Sequence, residues 1–162
     1  MIRSANLNDA ETIVDIYNTY VLDTVTTFEQ DIVSPEVMSA RVEQVMSQGL
    51  PWLVAESGGQ VVGYAYATPW KERTAYQYSV EVTVYLSQQE KQRGWGTQLY
   101  NELFNRLKQK GIHIAIGGIT LPNDASIALH EKFGMYKVAH FKQVGFKFDQ
   151  WLDVGYWQKE LS

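Results

Sequence analysis

Residues 79–120 read SVEVTVYLSQQEKQRGWGTQLYNELFNRLKQKGIHIAIGGIT, and this run constrains the fold more than any other part of the chain. Val80, Val82, Val84 and Leu86 alternate with Ser79, Glu81, Thr83 and Tyr85, the period of two that a strand requires. Together with the aromatic residues just before it, the segment predicts a long strand over residues 76–87. Gly94 and Gly96 then open a helix whose Leu99, Tyr100, Leu103, Phe104 and Leu107 share one face, with Gly111 closing it. IHIAIGGIT returns to a strand. Such a strand–loop–helix–strand unit pairs its strands in parallel through a right-handed crossover.

The flanks complete a mixed pattern. MIRSA predicts a short strand. Asn8 as N-cap, with Glu11 as its capping-box partner, starts a first helix over about residues 9–22, where Ile13, Ile16, Tyr17 and Tyr20 recur at helical spacing. Ser34 caps a second helix with Pro35 in its first turn, and Val37, Met38, Arg41, Val42 and Val45 give it one mainly apolar face. WLVAES and QVVGYAYATPW form a hairpin around Gly58-Gly59. Asn123 or Asp124 caps a short helix that Gly134 stops, and two strands follow at about 138–148 and 154–161. The order is β-α-α-β-β-β-α-β-α-β-β, an α+β fold with helices on the faces of a mixed sheet, in one domain over residues 1–162.

The glycine loop carries chemistry. Helix N-termini expose unpaired N–H groups at the positive end of a dipole, and glycines let an anion approach them. A plain tight turn is the competing reading. The dinucleotide fingerprint needs a third glycine, which Gly94-Trp95-Gly96 followed by Thr97-Gln98-Leu99 lacks, and the NTPase loop pattern is absent. Lys91-Gln92-Arg93-Gly94-Trp95-Gly96 instead resembles the Gln/Arg-x-x-Gly-x-Gly/Ala pyrophosphate loop of GNAT N-acetyltransferases, with Lys in the first position as a departure.

Taken with SVEVTVYLS, LPNDASIALHEKFGM and WLDVGYWQ, in order over nearly the whole chain, the sequence resembles the phosphinothricin and methionine sulfoximine acetyltransferase branch of that superfamily. The resemblance implies a GNAT fold in which the central parallel strands splay apart and acetyl-CoA lies in the gap. It implies that Gln92, Arg93, Gly94, Trp95, Gly96 and Thr97 hold the diphosphate, and that Val84, Tyr85 and Leu86 run beside the pantetheine. Asn123 and Lys132 complete the cofactor set, with a helix cap and a solvated lysine as their alternatives.

Glu81 matches the family's catalytic glutamate. An ammonium must lose a proton before it attacks a thioester, and a carboxylate can take that proton directly or through water. A partly buried Glu81 would have a raised pKa. His130 stands where many GNAT enzymes carry a tyrosine that protonates the departing thiolate; in this branch a histidine replaces it and joins the glutamate, as acid or as base. Arg73 in PWKERTAYQYS matches a residue that grips the acceptor's acid group, Ala75 and Tyr76 shape the pocket, and Phe28 forms an apolar wall. A Ser126–His130 acyl-enzyme is disfavoured, because no nucleophile elbow is present.

Composition narrows the classes. The chain has no cysteine, which excludes disulfides, thiolate metal sites and a cysteine acyl-enzyme. His113, His130 and His140 show no metal-ligand spacing, so no metal is expected. A net charge of −4 disfavours nucleic acid as partner. No apolar run approaches the ~20 residues of a membrane span, nor does the N-terminus have a signal-peptide core. The expectation is a cytoplasmic, homodimeric enzyme that transfers acetyl directly to a small amino-acid-like amine. The alternatives are a GNAT enzyme for another amine or a peptide N-terminus, and a non-catalytic acetyl-CoA-binding module.

Overall fold

The computed structural model describes residues 1–161. Seven strands form one sheet: β1 (Ile2–Ser4), β2 (Trp52–Ser57), β3 (Gln60–Pro69), β4 (Ser79–Leu86), β5 (Ile114–Leu121), β6 (Tyr136–Lys147) and β7 (Gln150–Glu160). Their spatial order is β1-β2-β3-β4-β5-β7-β6. Only β4 and β5 pair in parallel; every other neighbouring pair is antiparallel. The helices are α1 (Ala10–Asp23), α2 (Pro35–Ser47), α3 (Trp95–Gln109) and α4 (Asp124–Lys132).

Strand alternation assigns each side chain to one of two cores. On one face Leu53, Ala65, Val80, Val82 and Ala115 pack under Leu99, Tyr100, Leu103 and Leu107 of α3. On the other, Val54, Tyr64 and Tyr85 pack under Ile13, Val14, Tyr17 and Tyr20 of α1 and Met38, Val42 and Val45 of α2. Both cores are apolar, so burial on both faces holds the register: a slip of one residue would exchange the two sets.

Three boundaries differ from the sequence expectation. The first cap is Asn6, whose side chain accepts from Asn8 N, while Asp9 closes the capping box of a short 3-10 turn (Leu7–Asp9) that leads into α1. Asn8 and Glu11 do not play those parts. Asp9 is recruited because Arg3 donates to both its oxygens at 2.9 Å, a contact 6 residues away that local pattern does not show. β4 begins at Ser79 rather than residue 76, because residues Thr74–Tyr76 turn and Trp70 N bonds Ser79 O at 3.1 Å. β6 and β7 are longer than expected and join through Phe148 and Asp149, at φ 53° and 58°. A tight turn usually advertises itself by glycine at such positions, and this one has none.

Candidate active site

The parallel pair β4–β5 does not run to its end. Its rungs are Ser79–Ile114, Val80–Ala115 and Glu81–Ile116, after which both strands continue but no longer pair. Beyond Glu81 and Ile116 the sheet is therefore forked. Residues 82–86 line one prong and 117–121 the other. Unpaired backbone N–H and C=O groups inside a sheet need partners, and a polar chain lying in the fork would provide them.

The glycine loop stands beyond the open end of the β4 prong. Gly94 is the N-cap of α3 in the left-handed conformation, φ 82°, and no side chain caps that helix end. Gln92 also has positive φ, 65°. The left-handed turn at Gly94 suits a residue without Cβ and leaves the first N–H groups of α3 available to an anion. Gly96 matters for packing instead. A Cβ there would lie 3.3 Å from Leu129 of α4 and 3.7 Å from Leu86, so its absence lets helix, strand and helix close up. Gln92 and Arg93 are exposed, and Arg93 lies 3.8 Å from Glu90. Trp95 Nε1 reaches Glu90 Oε2 at 3.4 Å.

Two distant residues join the loop. Lys132 Nζ donates to Thr97 Oγ1 at 3.2 Å, which places a cation from α4 beside the α3 N-terminus. Asn123 is the α4 cap, its Oδ1 accepting from Ser126 N at 3.1 Å. Of the three β4 residues expected beside a pantetheine, Val84 and Leu86 pack against the α3 core, whereas Tyr85 is buried among Tyr17, Tyr20 and Tyr64. Tyr85 thus offers the fork only its backbone.

Glu81 is half-buried on the α1–α2 face, opposite Thr68 of β3. Among the described residues it makes no hydrogen bond or ion pair, and burial pushes its carboxyl above the usual range. Tyr66 and Tyr156 stand close enough for its charge to raise their phenols, although burial contributes more. His130 is buried, 4% exposed, on the other face. Consecutive glycines of β5 make the separation plain. A Cβ on Gly117 would fall 2.7 Å from His130 Cδ2 and Nε2, and one on Gly118 would fall 3.5 Å from Glu81 Oε2. Successive strand residues point to opposite faces. The two titratable groups flank the fork from either side of the sheet and do not form one dyad. Burial lowers the imidazole pKa, while the bond to the Ser126 carbonyl works the other way. Ser126 contributes that carbonyl, at 2.7 Å from Nδ1, rather than a nucleophilic hydroxyl.

The acceptor residues are not gathered into one closed pocket. Arg73, Ala75 and Tyr76 are exposed on the β3–β4 connection. Arg73 lines an open cavity of about 520 Å³ with Lys71, Thr74, Gln77 and Ser79. Phe28 packs its ring against Gly145 of β6. A second cavity of about 240 Å³ lies on the Glu81 face, lined by Tyr17, Arg41, Gln44, Trp52, Tyr66 and Thr68 among others. The two cavities share Gln48 and Pro69. Arg41 is held by Glu29 at 2.7 and 3.0 Å, and Trp52 Nε1 is buried with no partner. Sequence reasoning missed this second cavity, because its lining comes from α1, α2, β2 and β3 with no motif in any of them.

The acetyltransferase (GNAT) domain family matches residues 2–155. The chain belongs to the GNAT acetyltransferases. A phosphinothricin N-acetyltransferase of Streptomyces viridochromogenes is 37% identical over 99% of this chain and 87% of its own length. An L-methionine sulfoximine/L-methionine sulfone acetyltransferase of Salmonella typhimurium is 35% identical over 99% and 94%. Among solved structures, a GNAT phosphinothricin acetyltransferase of Sinorhizobium meliloti in complex with acetyl-CoA superposes with a TM-score of 0.97, at 36% identity, over 100% of this chain and 88% of that one. The forked sheet, the mixed topology and the glycine-capped α3 are thus features of a GNAT fold, as the motifs implied. Among the described residues no metal-ligating cluster of His, Asp and Glu is found, and no helix is long and apolar enough to cross a membrane.

Proposed function

We propose that this GNAT enzyme transfers acetyl from acetyl-CoA to the α-amino group of a small amino-acid-like acceptor, of the phosphinothricin or methionine sulfoximine kind, in a single ternary complex. The observation that carries the reading is the fork: pairing stops at Glu81–Ile116, with an uncapped helix N-terminus beyond one prong and an unpartnered carboxylate at its base.

The residues fit the cofactor. Backbone N–H groups of 94–97 and Lys132 hold its diphosphate, as helix N-termini and adjacent cations do. The exposed side chain of Gln92 and the guanidinium of Arg93 stand at the same loop. The backbone of Val84, Tyr85 and Leu86 would border the pantetheine arm along the prong, and Asn123 would add its amide. Bound acetyl-CoA supplies the activated acyl group. Unpaired N–H groups of the β4 prong would be the donors available to polarise its carbonyl.

Glu81 receives the ammonium of the acceptor and accepts its proton. Its raised pKa makes it a better base than an exposed carboxylate, and among the described residues no hydrogen bond or ion pair occupies its oxygens. His130, on the opposite face, serves the sulfur side. Arg73 binds the acceptor's acid group as a planar fork, Ala75 and Tyr76 border it, and Phe28 closes one wall. The cavity of about 240 Å³ takes the acceptor's side chain. It is smaller than the ~300–1,000 Å³ typical of drug-sized ligands, which suits an amino acid. Holding both substrates turns a bimolecular encounter into an intramolecular one.

The chain works as one domain, in the cytoplasm, and as a homodimer. Support for the dimer comes from the edge strand β6 and its hairpin, where Phe141, Val144, Phe146 and Trp151 are 48–65% exposed. Light scattering at micromolar concentration should give twice the chain mass; a monomer would refute the assembly.

Thiol release from acetyl-CoA with a panel of acceptors tests the function. Turnover on L-phosphinothricin or L-methionine sulfoximine, with intersecting initial-velocity lines, is the expected result. Binding of acetyl-CoA without turnover on any amine would overturn the enzymatic reading, and parallel lines would overturn direct transfer.

A further inference from the structure

Tyr100 has no part in the reaction as described so far. It is fully buried on α3, and its Oη lies 3.1 Å from His130 Nε2, with the two rings edge to face at 84°. The other imidazole nitrogen, Nδ1, lies 2.7 Å from the Ser126 carbonyl oxygen. A carbonyl only accepts, so Nδ1 carries a proton. In the neutral ring Nε2 is then the lone-pair nitrogen, and the Tyr100 hydroxyl donates to it. The same Cδ2–Nε2 edge rests on Gly117, one residue past the last β4–β5 rung, where a Cβ would stand only 2.7 Å away.

We propose that Tyr100 is a positioning residue for the acetyl transfer: its hydroxyl locks His130 as the Nδ1–H tautomer and holds the Nε2 edge in the fork of the sheet. The proposal rests on the reading above only in giving His130 a role at the sulfur; the lock itself is a property of the protein without substrates. The phenol reaches the imidazole from α3, and the imidazole edge it meets is the one that rests on Gly117.

Among the described residues no other titratable group hydrogen-bonds the ring. On α4 itself Glu131 turns to Trp157 Nε1 at 3.1 Å, and Lys132 turns to Thr97. Lys159 of β7 donates to the Phe133 carbonyl at 2.7 Å. β5 presents Gly117 there, and Glu81 of β4 lies on the far face. Burial drives the Tyr100 phenol well above its ordinary pKa, so it remains a donor. A donor to the lone pair stabilises the neutral imidazole and opposes its protonation.

Tyr100→Phe removes one oxygen and keeps the ring. The His130 resonances, assigned by their loss in His130→Gln, are followed by NMR from pH 4 to 9. The expected result is a rise of about half to one unit in the His130 pKa, the size of one ordinary hydrogen bond. The limb of the kcat–pH profile that His130 sets moves the same way, and kcat falls by roughly tenfold with both KM values within about twofold. A folded Tyr100→Phe protein with an unmoved His130 titration would overturn the proposal. Should that variant not fold, ring 15N shifts of the unaltered protein decide instead. Protonated Nδ1 with lone-pair Nε2 is the expected pattern, and the reverse tautomer overturns it. If the titration moves in a protein that acetylates nothing, the tautomer lock stands and the role in catalysis falls.

Discussion

Adding a single methyl group at Gly117 or at Gly118 should produce two different defects. At Gly117 the new Cβ falls 2.7 Å from both Cδ2 and Nε2 of His130 and 3.6 Å from Met135 Cε. Comfortable carbon contacts lie near 3.5–4.0 Å, so the imidazole must retreat by about 1 Å. Yet the ring is held at both nitrogens, at 2.7 Å by Ser126 and at 3.1 Å by Tyr100, and it cannot retreat with both bonds intact. Overpacking of this kind costs about 1–3 kcal/mol, and the lost freedom of the unfolded chain returns about 0.4–1 kcal/mol. The net is up to about 2.5 kcal/mol, or roughly 5–10 °C in Tm at this chain length. At Gly118 the Cβ meets Tyr156 Cε1 at 3.0 Å and Glu81 Oε2 at 3.5 Å, on a side where the neighbours have room to yield a few tenths of an ångström. Its Tm should change by less than about 3 °C. Steady-state kinetics with thiol release then separates the faces. Gly117→Ala should lower kcat and leave the acceptor KM alone, whereas Gly118→Ala should raise the acceptor KM. Identical kinetic defects, or a Gly117→Ala protein with parental kcat and Tm, would refute the assignment of His130 and Glu81 to opposite sides of the fork.

Glu81→Gln should cut kcat/KM by about 10²–10⁴ with the circular dichroism unchanged; a loss under tenfold would remove Glu81 as the base. The same substitution should raise Tm at pH 7–8. The folded pKa of Glu81 lies above the unfolded value, so the ionised carboxylate destabilises the fold increasingly as pH rises through the folded pKa, and the difference between the two proteins should vanish below pH ~4. Gly94→Ala places a side chain at φ 82° and at the anion's approach, so KM for acetyl-CoA should rise by about tenfold or more while the acceptor KM holds. Ser34→Ala deletes the α2 cap, a 3.2 Å bond to Val37 N, and should cost about 1 kcal/mol in a urea melt with no effect on kcat.

Much of the fold could be read from local pattern. Hydrophobic alternation in β4, the 3–4 spacing in α3 and the Ser34-Pro35 start of α2 are short-range signals, and each element is where its signal stands. The Phe148–Asp149 turn and the Asn6–Asp9 cap escaped, because one lacks glycine and the other depends on Arg3 in a strand. The candidate site divides in the same way. The glycine loop and the Glu81 strand announce themselves as types of residue at spacings that anion binding and proton transfer require. Nothing local announces Tyr100, which looks like one more apolar-face residue of an amphipathic helix, nor the cavity that Tyr17, Arg41 and Trp52 enclose from three separate elements.

Chain-local chemistry therefore settled the order of strands and helices and the parallel crossover, since periodicity, caps and glycines act within a few residues. Contact between distant segments settled the rest. It determined where β4 and β5 part, that Glu81 and His130 face opposite sides of the sheet, and which hydroxyl meets the imidazole. Those outcomes depend on how two apolar cores divide alternate residues of the same strands between them, and that division exists only once the helices have packed.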